Sequence, residues 1–251
     1  MFCRYDLRTT DPDAARSFYS EVVGLEFTEN RSSEESSILG IWPLHEQARA
    51  RGAPPHWLGH IGVTDLEASV ARLLALGGER LGPTVQTHDG TAYATLRDPS
   101  GAVIAIRAIR PSTATGTGTR APRVSPVAWH HHHTRDLERA WGAYSEVFAW
   151  TQAGTIDVPD PEGGYRMFAC DGSQAAIGSM ANTARAPGVH AHWLYFFAVA
   201  DLDATMAKVR ARGGEIIAEP VTLPNGNGIV ACHDAQGGAF GLSAPAKGGR
   251  L

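Results

Sequence analysis

Residues 135–147 read RDLERAWGAYSEV, and residues 10–22 read TDPDAARSFYSEV. Each stretch begins near an aspartate, Asp136 or Asp11, and closes on Tyr-Ser-Glu-Val. An aspartate in that place accepts hydrogen bonds from the free amides of a helix's first turn. The apolar residues that follow recur at helical spacing. The sequence therefore predicts the same capped helix twice, with Asp11 or Asp13 as the first cap and Gly24 as the end of the first helix.

Three further blocks occur twice and in the same order. They are HWLGHIGVTDL at residues 56–66 with HWLYFFAVADL at 192–202, Gly-Gly-Glu at 77–79 and 213–215, and the turns DPSG at 98–101 and DAQG at 234–237. Ordered self-similarity of this kind is typical of a duplicated module.

The repeat sets the predicted domain boundaries. The first module is predicted at residues 1–110 and the second at residues 124–246, joined by a Gly-, Thr- and Pro-rich linker at 111–123. A tail is expected at residues 247–251. Each copy has the order strand, helix, strand or hairpin, strand, helix, then strands, which predicts an α+β fold.

Composition excludes several classes of protein. The 251 residues are 43% hydrophobic and 19% charged, with a net charge of −4 and 22 Lys and Arg. Such a chain has material for a core but lacks the basic footprint of a nucleic-acid binder, and it has no apolar run typical of a membrane segment. Cys3, Cys170 and Cys232 are far apart and form no CxxC motif, so a zinc ribbon is excluded. We expect buried thiols and, since the N-terminus has no signal core, a cytoplasmic monomer or homodimer.

The repeated blocks resemble the vicinal oxygen chelate superfamily, which includes glyoxalase I, bleomycin-resistance proteins and extradiol dioxygenases. The closer match is to a bacterial two-module branch labelled glyoxalase-like. The resemblance rests on the capped helices and, in the first copy, on Asp65-Leu66, Leu76-Gly77-Gly78 and Asp98-Pro99-Ser100-Gly101. It implies tandem βαβββ modules that form curved mixed sheets with helices on the outer face.

Enzymes of this superfamily usually hold a divalent ion on His, Gln or Glu side chains from three strands of a module. The matching positions here are Arg4, Leu58 and Ala105 in the first copy and Trp129, Leu194 and Gly241 in the second. None of these six residues is an ordinary ligand for such a cation. From these positions we expect that the usual metal site is missing and that no cofactor is bound.

Strand alternation predicts what the first cleft contains instead. Residues two apart on a strand share a face, so Arg4, Asp6 and Arg8 are expected together, with His60 and Arg107 beside them. Three arginines in one cleft are able to clamp a carboxylate or another anionic oxygen. The alternative is that they pair with Asp6 or reach solvent at the strand ends.

The second cleft is predicted from the run of four histidines at residues 130–133. Trp129, His131 and His133 share one face, and His192, Trp193 and Tyr195 lie on the next predicted strand. His130 and His132 are expected to point to the helix side and to serve as hydrogen-bonded structural residues. We predict His60, His131 and His133 as acid and base groups, and Trp129, Trp193 and Tyr195 as aromatic ligand contacts. A displaced metal site on His131 and His133 and a purely structural role are the alternatives.

Two functions follow from these expectations. One is a glyoxalase-like lyase, isomerase or hydrolase that acts on a small oxygenated molecule without the usual metal. The other is a resistance-type protein that sequesters a planar small molecule without catalysis.

The recurrence of His56-Trp57 and His192-Trp193 in both copies favours a packing role for these tryptophans over a ligand role.

Overall fold

The computed structural model describes residues 1–27, 37–109, 125–156, 164–223 and 226–246. The predicted linker at 111–123 and the predicted tail at 247–251 lie outside these residues. No helix in the described part of the chain has the length and apolar character needed to cross a membrane.

The first half of the chain contains two strand–helix units. Its elements are β1 (Phe2–Thr9), α1 (Pro12–Val22), β2 (Leu39–Pro43), α2 (Glu46–Ala50), β3 (His56–Val63), α3 (Leu66–Ala75), β4 (Glu79–Arg80), β5 (Val85–Gln86), β6 (Ala92–Arg97) and β7 (Val103–Ala108).

Among the described residues, the second half follows the same order with two differences: two further strands come before the equivalent of β2, and a short 3₁₀ helix, Asn182–Arg185, stands in the place of α2. Its elements are β8 (Val127–His133), α4 (Leu137–Phe148), β9 (Thr151–Ile156), β10 (Tyr165–Ala169), β11 (Gly178–Ala181), β12 (His192–Ala198), α5 (Leu202–Ala211), β13 (Glu215–Ile216), β14 (Val221–Thr222), β15 (Gly228–His233) and β16 (Ala239–Ala244).

An aspartate caps each of the four longer helices among these elements. The carboxylates of Asp11, Asp65, Asp136 and Asp201 each accept a hydrogen bond from the amide three residues later, at 2.9 to 3.1 Å. These bonds satisfy amides that have no partner inside the helix. The prediction of a capped helix after each first strand is confirmed, with Asp11 rather than Asp13 as the first cap.

The two halves share one mixed sheet. In each half the first strand runs antiparallel to the strand before the second long helix, β1 to β3 and β8 to β12. The same first strand runs parallel to β2 or β11. The sheets meet where β16 pairs with β3 at Ala239 and His56. The predicted α+β class with mixed sheets in two modules is confirmed.

Side-chain alternation divides each sheet into two faces. On β1, Tyr5 and Leu7 are buried in the hydrophobic core together with Phe18 and Tyr19 of α1. Arg4, Asp6 and Arg8 point the other way, to the side that we call the open face. On the second half, the residues of β8 that oppose His192 and Leu194 on β12 are His133 and His131, so these four lie on the open face.

Each half inserts a turn against a helix of the other half. Asp98, in the turn after β6, accepts a hydrogen bond from the Tyr144 hydroxyl of α4 at 2.8 Å, and Tyr144 accepts one from Trp193 Nε1 at 2.9 Å. The reciprocal chain is Asp234, Tyr19 and Trp57, with distances of 3.0 and 2.9 Å. The repeated Tyr-Ser-Glu-Val helix, the His-Trp strand and the turn that begins with aspartate thus form the same contact between the halves twice. The packing interpretation of Trp57 and Trp193 is confirmed.

Candidate functional site

The open face of the first half carries a charged group of residues, which we call the arginine cluster. Its members are Arg4, Asp6, Arg8, His60, Tyr93 and Arg107. Asp6 lies at the centre: its Oδ1 accepts from Arg4 Nε at 2.7 Å, and its Oδ2 lies 3.1 Å from His60 Nε2 and 3.5 Å from Arg8 Nη2. The Arg8 guanidinium also donates to the Tyr93 hydroxyl at 3.3 Å.

The remaining arginine of this cluster has its own partners. Arg107 Nη2 donates to Asp89 Oδ2 at 3.2 Å and to Thr91 Oγ1 at 2.9 Å. The guanidinium also lies over the Tyr93 ring, 5.9 Å from its centroid. The five predicted residues lie on one face. Arg4 and Arg8 pair with Asp6, as the alternative interpretation expected, whereas Arg107 pairs with Asp89, which was not predicted.

Burial and charge act in opposite directions on Asp6. Burial raises the pKa of its carboxyl, but His60, Arg4 and Arg8 outweigh burial and hold that pKa below its usual range. Burial lowers the pKa of His60, despite the opposing effect of Asp6. An ionised carboxylate only accepts, so His60 Nε2 carries the proton and Nδ1 carries a lone pair. No residue in the described ranges forms a hydrogen bond with this buried Nδ1 atom.

The open face of the second half carries an uncharged group, which we call the histidine cluster. Its members are Trp129, His131, His133, Tyr165, Ser179 and His192. Ser179 Oγ accepts from Trp129 Nε1 at 3.2 Å and lies 2.9 Å from His131 Nδ1. The His133 ring lies 4.4 Å from the His131 ring and 4.3 Å from the His192 ring, centroid to centroid. Tyr165 lies 5.3 Å from His131 on the other side.

The imidazoles of this cluster are neutral near pH 7. Burial, assisted by neighbouring histidines, lowers the pKa of His131 to about 3 and that of His192 to about 4. The same causes hold the pKa of His133 well below its usual range. The Nδ1 atoms of all three are bonded to protein atoms. Within the described part of the chain, the Nε2 atom of His131 is buried without a hydrogen-bond partner.

Two residues predicted as ligand contacts lie elsewhere. Trp193 pairs with His132, and Tyr195 pairs with His130, so both aromatic rings are on the helix side of the sheet. Trp193 donates to Tyr144, and the fully buried Tyr195 hydroxyl accepts from the Gly59 amide at 2.9 Å. The expectation that they line the cleft is corrected: strand pairing sets their parity opposite to that of His131, and both pack between the halves.

The other two histidines of the run take the structural roles predicted for them. His130 Nδ1 donates to the Ile177 carbonyl at 2.8 Å, so its Nε2 accepts from the Tyr5 hydroxyl at 2.7 Å. His132 Nε2 lies 3.1 Å from Asp98 Oδ2, and both side chains are fully buried. Both residues therefore join one half of the protein to the other.

Sequence reasoning missed Tyr93, Asp89, Tyr165 and Ser179. Tyr93 had a usable signal, because the turn at residues 98–101 sets a hairpin register that places it opposite Arg107. Ser179 had none, since it reaches His131 through a parallel pairing of β11 with β8, across a separation of 48 residues.

The positions that the resemblance assigns to a metal do not fit one. Leu58, Leu194 and Ala105 are buried apolar side chains, and Arg4 brings a fixed cation to its position. At Gly241 the Phe196 ring occupies the space that a Cβ would need, so no ligand side chain fits there unless Phe196 moves. Across the residues that the structure describes, no group of three or more His, Cys, Asp or Glu side chains is arranged to hold a metal ion.

Two family models match the chain, one in each half. The model of the Glyoxalase/Bleomycin resistance protein/Dioxygenase superfamily matches residues 131–241, and the model of the Glyoxalase-like domain matches residues 4–106. Among curated proteins, "Putative glyoxylase CFP32" of Mycobacterium tuberculosis is 29% identical over 255 residues, which cover 96% of this chain and 93% of the relative. "Anthracycline biosynthesis protein DauV" of Streptomyces sp. is 28% identical over 177 residues, which cover 70% of this chain and 61% of the relative.

Solved structures share the architecture. The 2,3-dioxygenase LapB from Pseudomonas sp. KL28 superposes with a TM-score of 0.61 at 14% identity, covering 97% of this chain and 91% of its own. The Mn(II)-bound glyoxalase from Novosphingobium aromaticivorans also gives a TM-score of 0.61, at 13% identity, with 97% and 81% covered. At these identities the likeness concerns the fold alone.

Proposed function

Because the chain belongs to the Glyoxalase/Bleomycin resistance protein/Dioxygenase superfamily through both of its halves, we propose that it binds a small oxygen-bearing molecule on the open face of the second half, without a divalent ion at the superfamily's ligand positions. The observation that carries the proposal is His131 Nε2, a buried polar atom that has no hydrogen-bond partner among the residues that the structure describes. Such an atom is costly to leave unsatisfied, and a ligand oxygen would satisfy it.

The histidine cluster suits this role better than the arginine cluster does. In the arginine cluster the central carboxylate is already held by two guanidinium groups and an imidazole, and His60 is fully buried. The histidine cluster offers a neutral surface of imidazole and aromatic rings with one unmet hydrogen bond, which is typical of sites for small planar ligands. The names of the relatives, a glyoxylase and an anthracycline biosynthesis protein, agree with small-molecule chemistry.

The low pKa of His131 supports a second candidate function, in which the protein binds its ligand without converting it. A base with a pKa of about 3 costs roughly 5 kcal/mol to protonate at pH 7. That cost makes His131 a weak general base, since efficient proton transfer needs a pKa near the working pH. If turnover occurs, His60 has the better arrangement for it, because Asp6 orients its ring and leaves Nδ1 with a lone pair.

The first prediction concerns His131 and its ligand. We expect His131→Phe to lower the affinity for compounds found in a thermal-shift screen of small oxygen-bearing ring molecules by about tenfold or more, since one hydrogen bond to a buried group is lost. Isothermal titration measures the affinity. The matched control is His56→Ala, because His56 holds the place of His192 in the first half and bonds its own loop in the same way. A screen in which every ligand binds both variants equally rejects the site.

Turnover is tested separately with His60→Ala and His133→Ala. We expect ligand affinity to survive His60→Ala, because His60 lies in the other half. Loss of product formation in that variant, with affinity retained, would favour an enzyme. If no product forms with the unaltered protein, the sequestering function stands.

A second prediction concerns metal content. Protein purified without chelators is expected to contain far less than one equivalent of any divalent metal, because the six ligand positions offer no suitable donors. Elemental analysis measures the content, and ligand affinity before and after EDTA treatment measures its importance. One tightly held equivalent of Zn, Ni, Fe or Mn would overturn this part of the proposal.

The setting of this function also rests on the sequence. We propose a cytoplasmic location on the basis of its three free thiols. We propose a small molecule as its partner, rather than nucleic acid or a membrane, from its charge and composition.

A further inference from the structure

Three side chains of the histidine cluster form a hydrogen-bonded relay on the open face. The indole Nε1 of Trp129 has a proton and only donates, and it reaches Ser179 Oγ at 3.2 Å. Ser179 Oγ in turn lies 2.9 Å from His131 Nδ1. Ser179 is 3% exposed and His131 is 6% exposed, so both need partners within the protein.

Counting protons fixes the direction of the relay. If His131 carried its proton on Nδ1, it would donate to Ser179, and the buried Ser179 hydroxyl would have no acceptor. If His131 instead carries its proton on Nε2, the Ser179 hydroxyl donates to Nδ1 and only the Nε2 proton lacks a partner. The second arrangement leaves one buried polar group unsatisfied rather than two, and each such group costs about 1–3 kcal/mol.

His192 has the opposite arrangement. Its Nδ1 lies 2.8 Å from the carbonyl oxygen of His190, which only accepts, so His192 carries its proton on Nδ1. Its Nε2 is therefore an acceptor. The His133 ring lies between His131 and His192, in contact with both. One end of the cluster thus donates a hydrogen bond and the other end accepts one.

We propose that Ser179 holds His131 as an Nε2–H donor, and that the histidine cluster selects a ring compound with a carbonyl oxygen at one end and a hydroxyl group at the other. This inference rests on the proposed function and names the ligand class of that site. The carbonyl oxygen accepts a hydrogen bond from His131 Nε2–H, and the hydroxyl group donates one to His192 Nε2. Ser179 is a positioning residue, because it acts through His131.

The relay belongs to the second half alone. In the parallel pairing of β2 with β1, Gly40 stands opposite Asp6, as Ser179 stands opposite His131. A Cβ at Gly40 would fall on the Arg4 guanidinium and on Asp6. The first half therefore fills this place with an ion pair, and the second half fills it with a hydroxyl that orients an imidazole.

The tautomer is tested by long-range ¹H–¹⁵N NMR of histidine-labelled protein, with signals assigned by loss in His131→Gln and His192→Gln. We expect the proton on Nε2 in His131 and on Nδ1 in His192. Ser179→Ala should release His131 from the Nε2–H form, and Ser179→Thr should retain that form. A proton on His131 Nδ1 in the unaltered protein, or no effect of Ser179→Ala, overturns the relay.

Ligand selection is tested with three probes of similar size. Methyl 3-hydroxybenzoate has both groups, methyl 3-methoxybenzoate lacks the hydroxyl donor, and 3-ethylphenol lacks the carbonyl acceptor. We expect the first to bind tightest, and Ser179→Ala to weaken it about tenfold while changing the affinity for 3-ethylphenol less than twofold. Equal losses for both probes, or equal binding of all three, overturn the selection.

The two proposals fail in distinguishable ways. If the probes do not bind but other ligands from the screen depend on His131, the hydroxycarbonyl class is wrong and the proposed function stands. If no ligand of any class depends on His131, the proposed function itself fails. The NMR measurement decides on the relay in either case, because it needs no ligand.

Discussion

Replacing Asp98 by alanine is expected to lower the free energy of unfolding by about 3–5 kcal/mol, because it removes a buried carboxylate that accepts from several buried donors. The Asp98 side chain is fully buried. Its Oδ1 accepts from the amides of Ser100 and Ala102, and its Oδ2 accepts from Tyr144 and contacts His132. Its removal leaves the Tyr144 hydroxyl and the His132 ring buried without their partner, at the contact between the two halves.

Denaturant unfolding at pH 7 measures this effect. Two control variants show how much of the loss in unfolding free energy is specific to Asp98. Asp234→Ala should cost less: Asp234 also accepts from a tyrosine, Tyr19, but the buried Leu7 occupies the position equivalent to His132. Asp65→Ala removes only an exposed helix cap and should cost about 1 kcal/mol. If Asp98→Ala costs no more than Asp65→Ala, the turn does not hold the halves together.

The second large effect is expected on mild acidification. Burial lowers the pKa of His131 to about 3 and that of His130 to about 4, whereas an unfolded chain protonates histidine near pH 6.5. Below that pH the unfolded state binds protons that the folded state does not bind, so the folded state loses stability as the pH falls. Between pH 7 and pH 5 each of these two histidines should remove about 2 kcal/mol.

Carboxylates do not contribute in this pH window. His60, Arg4 and Arg8 hold the pKa of Asp6 low against the effect of burial, and His132, Ser100 and Tyr144 do so for Asp98. Stability from such groups is lost only below the unfolded-state value near pH 4. The predicted loss above pH 5 therefore belongs to histidine.

Denaturant titrations at pH 7 and pH 5 measure the loss. His131→Gln should reduce the difference in unfolding free energy between pH 7 and pH 5 by about 2 kcal/mol, because the unfolded state then binds one proton fewer. The exposed His45→Gln variant serves as control and should keep the full difference. Equal stability of the unaltered protein at both pH values would show that these histidines are hydrated in solution.

Much of the fold follows from local rules that the sequence states directly. Asp11 and Asp136 mark helix starts because a carboxylate meets free amides there, and this requires no tertiary contact. Alternation along β1 separates Arg4, Asp6 and Arg8 from Tyr5 and Leu7, so the make-up of the arginine cluster was readable before its geometry was known.

The histidine cluster was only partly readable. Alternation along β8 placed His131 and His133 together. Which residues of β12 share their face depends on the register between the two strands, and the sequence alone does not determine that register. The error at Trp193 and Tyr195 arose there. Once His192 pairs with His133, every second residue of β12 turns to the other face, and both aromatic residues join the packing between the halves.

By itself, the sequence determined that two related halves exist and where their helices begin. The resemblance added the expectation that the superfamily's metal positions lack ordinary ligands. Only the tertiary structure decided that ion pairs around Asp6 fill the open face of the first half, whereas neutral imidazole rings fill that of the second. The reason is physical. Periodicity and capping act within a few residues, whereas the partners of Asp6, Asp98 and His131 come from other strands and helices and are set by pairing and docking across the fold.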